Sequence, residues 1–208
     1  MNWLITGGCG FLGTALIKRL LKEKSSHNIR VIDNLSVGSR DDLVQVCDFD
    51  EKSPEILDDD FKGVELVVGD ILDESIALLA TKGIDVIVHF AANTGVGPSV
   101  EEPRFDCLTN VIGTFNYLDA ARLNNVPRFV FASSGAPAGE VEPPIHEELP
   151  PHPVSPYGAS KLAGEGYCSA YYKTFGVDTV ALRFGNVYGP GSIHKSSVVA
   201  KFIKKAFN

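Results

Sequence analysis

The chain has 208 residues, of which 44% are hydrophobic and 22% are charged, and this balance is typical of a globular protein with a sizeable buried core. Its formal net charge is −7, so nucleic acid and anionic membrane surfaces are not expected as partners, because both repel an acidic protein. No apolar run approaches the ~18 residues that span a bilayer, and the N-terminal sequence lacks the basic and apolar segments of a signal peptide. The four cysteines are Cys9, Cys47, Cys107 and Cys168. They are scattered, without zinc-ligand spacing, so we expect free thiols in a cytoplasmic protein and no metal site.

Short β-branched segments alternate with longer helical patterns along most of the chain. Nearly continuous apolar strands that alternate with helices indicate a parallel sheet covered by helices on both faces. We therefore predict an α/β fold with a doubly wound parallel sheet. The predicted strands are 2–6, 29–33, 64–68, 84–90, 128–134 and 177–183, and the predicted helices are 11–24, 73–82, 105–124, 157–175 and 197–207.

Two stretches interrupt this alternation. Residues 47–60 are acidic and contain Pro54, and their carboxylates lack the spacing of a calcium loop, so we interpret them as a solvated surface loop. Residues 141–156 are rich in proline and are predicted to be extended. Because helices often begin at a proline, Pro156 is predicted to mark the start of the next helix.

A glycine-rich turn, "TGGCGFLG" at residues 6–13, separates the first strand from the first helix. Gly8, Gly10 and Gly13 satisfy one spacing of the dinucleotide-binding pattern, and Gly7, Gly10 and Gly13 satisfy another. Such glycines permit a tight turn and a close approach of the backbone to a pyrophosphate. The free N–H groups at the helix N-terminus can then bind the phosphates. The position between a strand and a helix is the one that the motif requires.

An acidic residue, Asp33, ends the second strand, twenty residues after Gly13. A carboxylate at this position can accept hydrogen bonds from the adenosine ribose and repels a 2′-phosphate. We therefore predict NAD rather than NADP as the cofactor. Arg40 is close enough in sequence to weaken that preference, whereas Arg30 is predicted to point outward at the start of the strand.

A tyrosine and a lysine, Tyr157 and Lys161, are spaced four residues apart in "SPYGASKLAGEGY". Residues i and i+4 lie on one face of a helix, so the phenol and the ammonium are predicted to be one turn apart. This spacing is common by chance, and its interpretation depends on the other motifs of the chain.

Together the motifs resemble the extended short-chain dehydrogenase/reductase family, in particular its NAD-dependent nucleotide-sugar epimerases and dehydratases. The resemblance extends from residue 1 to about residue 208, and the motifs occur in the family's order. They are "TGGCGFLG", "DNLS" (33–36), "GDI" (69–71), "HFAA" (89–92), "NVIGT" (110–114), "FASS" (131–134), "PYGASK" (156–161) and "RFGNVYGPG" (183–191).

The resemblance implies a Rossmann-like domain and assigns functional residues. The catalytic trio would be Ser134, Tyr157 and Lys161, and Ser134 and Asn186 would contact the substrate. The residues implied for NAD binding are Gly7, Gly10, Phe11, Leu12, Gly13, Asp33, Asn34, Leu35, Ser36, Asp70, Ile71, Phe90, Ala91, Ala92, Thr109, Tyr157 and Lys161.

These residue types suit the oxidation of a sugar alcohol. A phenol with a pKa near ~10 is a weak base at neutral pH. We expect the Lys161 ammonium to lower the pKa of Tyr157, so that Tyr157 can act as base and then as acid. Lys161 could also bind the nicotinamide ribose, and Ser134 could hold the substrate hydroxyl.

Residues 135–138 depart from the family pattern. The 4,6-dehydratases have an Asp-Glu pair where this chain has Gly135 and Ala136, neither of which can transfer a proton. Most relatives have a valine-tyrosine pair where this chain has Pro137 and Ala138. The sequence therefore favours epimerisation or simple oxidoreduction over dehydration.

The leading hypothesis is an NAD-dependent nucleotide-sugar 4-epimerase that acts on a UDP-sugar, with two alternatives: a reductase or dehydrogenase with net redox change, and a non-catalytic NAD-binding module.

Residues 1–185 are predicted to form the NAD-binding domain, and 186–208 only the start of a smaller substrate domain that continues in relatives. The resemblance also implies a homodimer through a four-helix bundle formed by helices 105–124 and 157–175, where Ala159, Ala163 and Gly166 would allow close approach.

Overall fold

The computed structural model describes residues 1–23 and 26–192. Its strands are β1 (Asn2–Thr6), β2 (Asn28–Asp33), β3 (Asp50–Glu51), β4 (Val64–Val68), β5 (Val86–His89), β6 (Arg128–Ser134) and β7 (Asp178–Phe184). Its α-helices are α1 (Phe11–Glu23), α2 (Arg40–Val44), α3 (Glu74–Ala80), α4 (Val96–Glu101), α5 (Pro103–Cys107), α6 (Gly113–Leu123) and α7 (Pro156–Phe175). Short 3₁₀ turns lie at Pro54–Ile56 and Ala136–Ala138, and a π-helical turn lies at Leu108–Ile112.

The seven strands form one parallel sheet in the order β3-β4-β2-β1-β5-β6-β7. The chain runs outward from β1 toward β2 and β4, and then returns to the other side of β1 to add β5, β6 and β7. This reversal confirms the predicted doubly wound α/β sheet. In such sheets ligands bind beyond the carboxyl ends of the strands at the point of reversal, which here lies between β1 and β5.

The sheet separates two hydrophobic cores. Successive strand side chains point to opposite faces, so Leu4 and Ile5 of β1 belong to different clusters. The Leu4 cluster includes Tyr117 of α6 and Phe129 of β6, and the Ile5 cluster includes Ile17 of α1. Burial on both faces explains why the strands are apolar runs rather than alternating patterns.

Six strands were predicted, and all six form within two residues of their predicted limits. The predicted helix 105–124 forms as one continuous helical segment over residues 103–123, but it contains a π turn between α5 and α6 that was not predicted. Residues 47–60 contain β3 and a 3₁₀ turn within the expected loop, and the short helices α2 and α4 were not predicted. The predicted helix 197–207 and the predicted start of a second domain after residue 192 lie outside the described residues, as does residue 24 of the first predicted helix.

Arg30 does not point outward as predicted, since its side chain has no exposed area. Its guanidinium forms a buried ion pair with Glu65 of β4 and lies 4.4 Å from the centre of the Phe61 ring. It also donates hydrogen bonds to the carbonyl oxygens of Ala80 at 2.8 Å and Asp58 at 2.6 Å. The prediction failed because these partners are 28 to 50 residues away in sequence and leave no local signal.

Within residues 1–23 and 26–192 no helix is long and apolar enough to cross a membrane. The same residues contain no group of three or more His, Cys, Asp or Glu side chains that could hold a metal ion. All four cysteines are free thiols.

Candidate active site

A cavity of about 860 Å³ lies at the carboxyl ends of β1, β2, β4 and β5, where the reversal of strand order predicts a ligand. Thirteen of the residues proposed to bind the cofactor line it: Gly7, Gly10, Phe11, Leu12, Asp33, Asn34, Ser36, Asp70, Ile71, Phe90, Ala91, Ala92 and Thr109. The cavity also includes residues that the sequence did not single out, among them Cys9, Gly38, Asn93 and Gly191.

The glycine turn forms one wall of this cavity. Gly7 has a φ of +67°, and a Cβ atom there would lie 2.8 Å from the Ala91 nitrogen, so only glycine fits. A Cβ atom on Gly13 would lie 2.4 Å from the Gly8 Cα, which makes Gly13 a packing residue rather than a cavity residue. Gly7 lines the cavity and has a positive φ, whereas Gly8 has neither property, so the structure favours the Gly7-Gly10-Gly13 spacing of the two that the sequence allowed.

Asp33 presents its carboxylate to the cavity from the end of β2. Its Oδ2 accepts a hydrogen bond from the Cys9 N–H, and its Oδ1 accepts one from the Leu35 N–H, both at 2.9 Å. Burial raises the pKa of Asp33, and these two N–H donors oppose the rise. Each oxygen retains a lone pair for a ribose hydroxyl. Arg40 donates two hydrogen bonds to Glu51 at 2.7 and 2.8 Å, so its charge is already paired.

We expect NAD(H) to bind at least roughly tenfold more tightly than NADP(H), because the buried Asp33 carboxylate repels a 2′-phosphate and a tenfold ratio needs only about 1.4 kcal/mol. Isothermal titration calorimetry with both cofactors measures this ratio. The variant Asp33→Ala should reduce it, whereas Asp41→Ala, which removes an exposed acid of α2, should not. Equal affinities in the unsubstituted protein would contradict the prediction.

The π turn at Leu108–Ile112 connects the cavity to helix α7. Asn110 in this turn accepts a hydrogen bond from the Asn93 N–H at 2.8 Å and donates one to the Asn93 carbonyl oxygen at 2.9 Å. Its amide nitrogen is also 3.1 Å from the Ser160 hydroxyl of α7. The side-chain nitrogen of Asn93 and the hydroxyl of Thr109 are buried without a hydrogen-bond partner, and both residues line the cavity. These two polar groups fit a polar ligand such as a dinucleotide.

Two residues near the cavity were not singled out from the sequence: Asn93, which lines the cavity, and Asp106, which accepts a hydrogen bond from the Asn110 amide. The one signal for Asn93 was a polar residue directly after the apolar strand end "HFAA". No local pattern distinguished Asp106 from a solvated helix acid.

His89, at the end of β5, is buried beneath this region. Its Nδ1 is 2.9 Å from the Thr6 hydroxyl, and its Nε2 is 3.3 Å from the Thr114 hydroxyl. Burial lowers the pKa of His89 to about 3, and the nearby Lys161 charge adds to the decrease. The imidazole is therefore neutral in the folded protein at neutral pH.

We predict that this histidine makes the protein less stable in acid. The pKa of His89 is lower in the folded than in the unfolded state, so the unfolded chain binds an extra proton. The free energy of unfolding should then fall by up to about 1.4 kcal/mol per pH unit below the unfolded pKa of about 6.5, and reach its full value only above it. Urea titrations at pH 7.5, 6 and 5 should show a smaller decrease for His89→Asn than for the unsubstituted chain. The exposed His152→Asn is the matched control, and equal decreases in all three proteins would disprove the prediction.

The predicted trio lies at the carboxyl end of β6 and on the first turns of α7. Ser155 caps α7, since its hydroxyl accepts a hydrogen bond from the Gly158 N–H at 3.1 Å. Lys161 is buried, donates to the Ala132 carbonyl oxygen at 2.8 Å and lies 5.8 Å from the centre of the Tyr157 ring. The Ser134 hydroxyl is close enough to the Tyr157 phenol to lower its pKa. The structure thus brings the three side chains together.

The pKa of Tyr157 differs from the expectation. Burial raises it, the Ser134 hydroxyl opposes the rise, and the Asp106 carboxylate adds to it. Burial also lowers the pKa of Lys161 to about 8, while Asp106 opposes that decrease. Desolvation by burial is therefore the largest influence on the pKa of the Tyr157 phenol.

The remaining predicted site residues lie outside the main cavity. Tyr157, Lys161 and Ser134 lie beside it rather than in its lining, and Asn186 is exposed on the loop after β7. Leu35 has a φ of +58° and packs on the Ile5 cluster, and Gly13 packs on the glycine turn. Whether these residues contact cofactor or substrate remains a prediction.

A glycine turn between β1 and α1, together with Ser134 at the end of β6 and Tyr157 and Lys161 on α7, is the arrangement that the short-chain dehydrogenase/reductase class uses. Comparison with known families makes the assignment more specific. The chain belongs to the NAD dependent epimerase/dehydratase family, whose profile matches residues 3–208.

Relatives of this chain include both epimerases and dehydratases. The UDP-glucose 4-epimerase of Mycolicibacterium smegmatis is 37% identical over 193 residues, which are 91% of this chain and 57% of the relative. The crystal structure of the Thermus thermophilus UDP-glucose 4-epimerase in complex with NAD matches with a TM-score of 0.77 and 37% identity, over 91% of this chain and 57% of that one. The Streptomyces venezuelae dTDP-glucose 4,6-dehydratase DesIV, with NAD and TYD bound, matches with a TM-score of 0.84 and 31% identity, over 100% and 62%. The chain thus spans a little over half the length of these relatives.

Proposed function

We propose that this chain binds NAD and belongs to a nucleotide-sugar 4-epimerase whose substrate is a UDP-sugar. The observation that carries the proposal is the Ser134, Tyr157 and Lys161 group at the end of β6, beside a dinucleotide-sized cavity that contains Asp33. The epimerase names of the relatives support the reaction type and the UDP-sugar. Four free thiols support a reducing, cytoplasmic location.

The protein's own groups would move one proton in each direction. Ser134 holds the C4 hydroxyl of the sugar, and Tyr157 removes its proton as the C4–H bond breaks. The cavity residues Gly7, Gly10 and Asp33 would hold NAD+, which would supply the hydride acceptor and donor for that carbon. Tyr157 returns the proton when the hydride is returned to the opposite face, so the reaction causes no net redox change. The positive charge of Lys161 stabilises the Tyr157 phenolate during this cycle.

Residues 135–138 favour epimerisation over 4,6-dehydration. Elimination of water needs an acid and a base, yet Gly135 and Ala136 have no titratable side chain. Pro137 and Ala138 are buried in the following 3₁₀ turn. Glu140 follows this turn, but it is exposed. The proton-transfer pair of the dehydratases has no counterpart at these positions.

The test is incubation of the purified protein with NAD+ and either UDP-glucose or dTDP-glucose, followed by chromatography and NMR of the products. We expect the C4 epimer of UDP-glucose, with no net NADH by absorbance at 340 nm. A 4-keto-6-deoxy product would contradict the assignment. Net NADH would favour a dehydrogenase, and tight NAD binding without turnover would favour a non-catalytic binding module.

We also propose a homodimer through α5, α6 and α7. These helices and the π turn between α5 and α6 have exposed apolar side chains, including Phe105, Ile112 and Tyr167. The small residues Ala159 and Gly166 are exposed on α7. Light scattering at micromolar concentrations should give the mass of a dimer, because burial of this face removes apolar surface from water. Ile112→Glu should shift the mass toward the monomer, whereas Val180→Glu on the exposed face of β7 should not. A monomeric mass for the unsubstituted chain would refute the proposal.

A further inference from the structure

An acidic residue outside the trio, Asp106 of α5, is completely buried. Its Oδ1 accepts a hydrogen bond from the Asn110 amide at 2.9 Å. Its Oδ2 is also buried but has no hydrogen-bond partner. A buried carboxylate oxygen without a partner is costly unless a nearby positive charge compensates for it.

Lys161, which is itself 3% exposed, is a buried cation whose charge acts on Asp106. Its ammonium donates a hydrogen bond to the Ala132 carbonyl oxygen and lies 4.9 Å from the centre of the Phe131 ring. Neither contact is with a carboxylate. A connected path joins the two charges, because the Asn110 amide that binds Asp106 also reaches Ser160, the neighbour of Lys161.

Besides Asp106, two titratable groups face Lys161, namely His89 and Tyr157, and both are neutral at neutral pH. Burial lowers the pKa of His89 on β5 to about 3, and burial raises the pKa of Tyr157 on α7 itself. Burial also raises the pKa of Asp106, while the Ser160 hydroxyl and Lys161 oppose that rise. Asp106 is thus the acidic group that opposes the loss of the Lys161 proton in the part of the chain that the structure describes.

We propose that Asp106 is a positioning residue whose carboxylate is the buried counter-ion of Lys161 and keeps that side chain in the ammonium form that Tyr157 requires. Through Asn110 the same carboxylate fixes α7 against the loop that carries Asn93. The catalytic consequence rests on the proposed function, but the charge coupling exists whether or not the chain turns over a substrate.

The titration of Lys161 tests this coupling without measuring activity. Protein containing lysine labelled with ¹³C at the ε-carbon is titrated by NMR, and the Lys161 signal is assigned by its loss in Lys161→Met. Asp106→Asn keeps the shape of the side chain and removes its charge. We expect the Lys161 midpoint to fall by roughly one pH unit, which is about a tenfold change in the acid dissociation constant. Glu102→Gln, which removes an exposed acid just before α5, is the matched control and should leave the midpoint unchanged.

A reciprocal measurement decides the question if Asp106→Asn does not fold. Coupling between two sites is mutual, so the Asp106 carboxyl carbon should titrate at higher pH in Lys161→Met than in the unsubstituted chain. A purely structural role for Asp106 would affect stability but neither titration. Unchanged midpoints for Lys161 in Asp106→Asn, or for Asp106 in Lys161→Met, would overturn the proposal.

Discussion

Tyr157→Phe is expected to lower the rate of sugar epimerisation by roughly 10²–10⁴-fold, the usual contribution of a positioned acid or base. The substitution removes only the phenolic hydroxyl. The half-buried ring can still pack beside Lys161, so the fold and the affinity for NAD should be retained. Initial rates at saturating UDP-sugar and calorimetric titration with NAD+ measure the two quantities separately.

Tyr172→Phe is the matched control, since Tyr172 is an exposed tyrosine on the same helix. An unchanged rate in Tyr157→Phe would show that another group transfers the proton.

Lys161→Met tests the partner residue and should reduce both turnover and NAD affinity, because Lys161 is proposed to act on both. A pH–rate profile identical to that of the unsubstituted protein would exclude Lys161 from setting the ionisation of Tyr157.

Arg30→Met is expected to destabilise the fold by about 3–5 kcal/mol, since it leaves the Glu65 carboxylate buried without its partner. The substitution also removes the hydrogen bonds to the carbonyl oxygens of Ala80 and Asp58. Urea unfolding followed by circular dichroism gives the free energy of unfolding.

Two further variants separate the buried charge from the loss of packing. Arg30→Met combined with Glu65→Leu removes both charges and should recover part of the lost stability, because an apolar pair needs no compensation. Arg40→Met removes the exposed Arg40–Glu51 ion pair and should change stability little. A decrease in the free energy of unfolding for Arg30→Met that is no larger than the decrease for Arg40→Met would disprove the prediction that the buried Arg30–Glu65 ion pair stabilises the fold.

The regular part of the fold was predictable because its signals are local. Apolar strand segments and the "TGGCGFLG" turn identified the doubly wound sheet and the end at which a ligand should bind. Arg30 was misassigned because its partners lie on other segments. The π turn inside helix 105–124 was missed because it depends on the packing of Asn110 against Asn93 and Ser160, which the sequence of the helix alone does not reveal.

The candidate site was predictable in composition but less so in electrostatics. Thirteen proposed cofactor residues line one cavity, as expected for motifs that follow strand ends. The direction of the Tyr157 pKa shift was not predictable, because it depends on how deeply the phenol and Lys161 are buried and on Asp106 beside them. Burial depth depends on the whole fold rather than on the four-residue spacing.

The Asn110 side chain forms two hydrogen bonds with the Asn93 backbone and contacts Ser160. It thereby links the loop that carries Asn93 to helix α7. The loop has no strand or helix of its own at residues 90–95, so this side chain limits its local opening. Exchange of the Asn93 N–H with deuterium therefore reports whether the link is closed. Slower exchange on addition of NAD+ would show that a ligand beside the loop keeps this link to helix α7 closed.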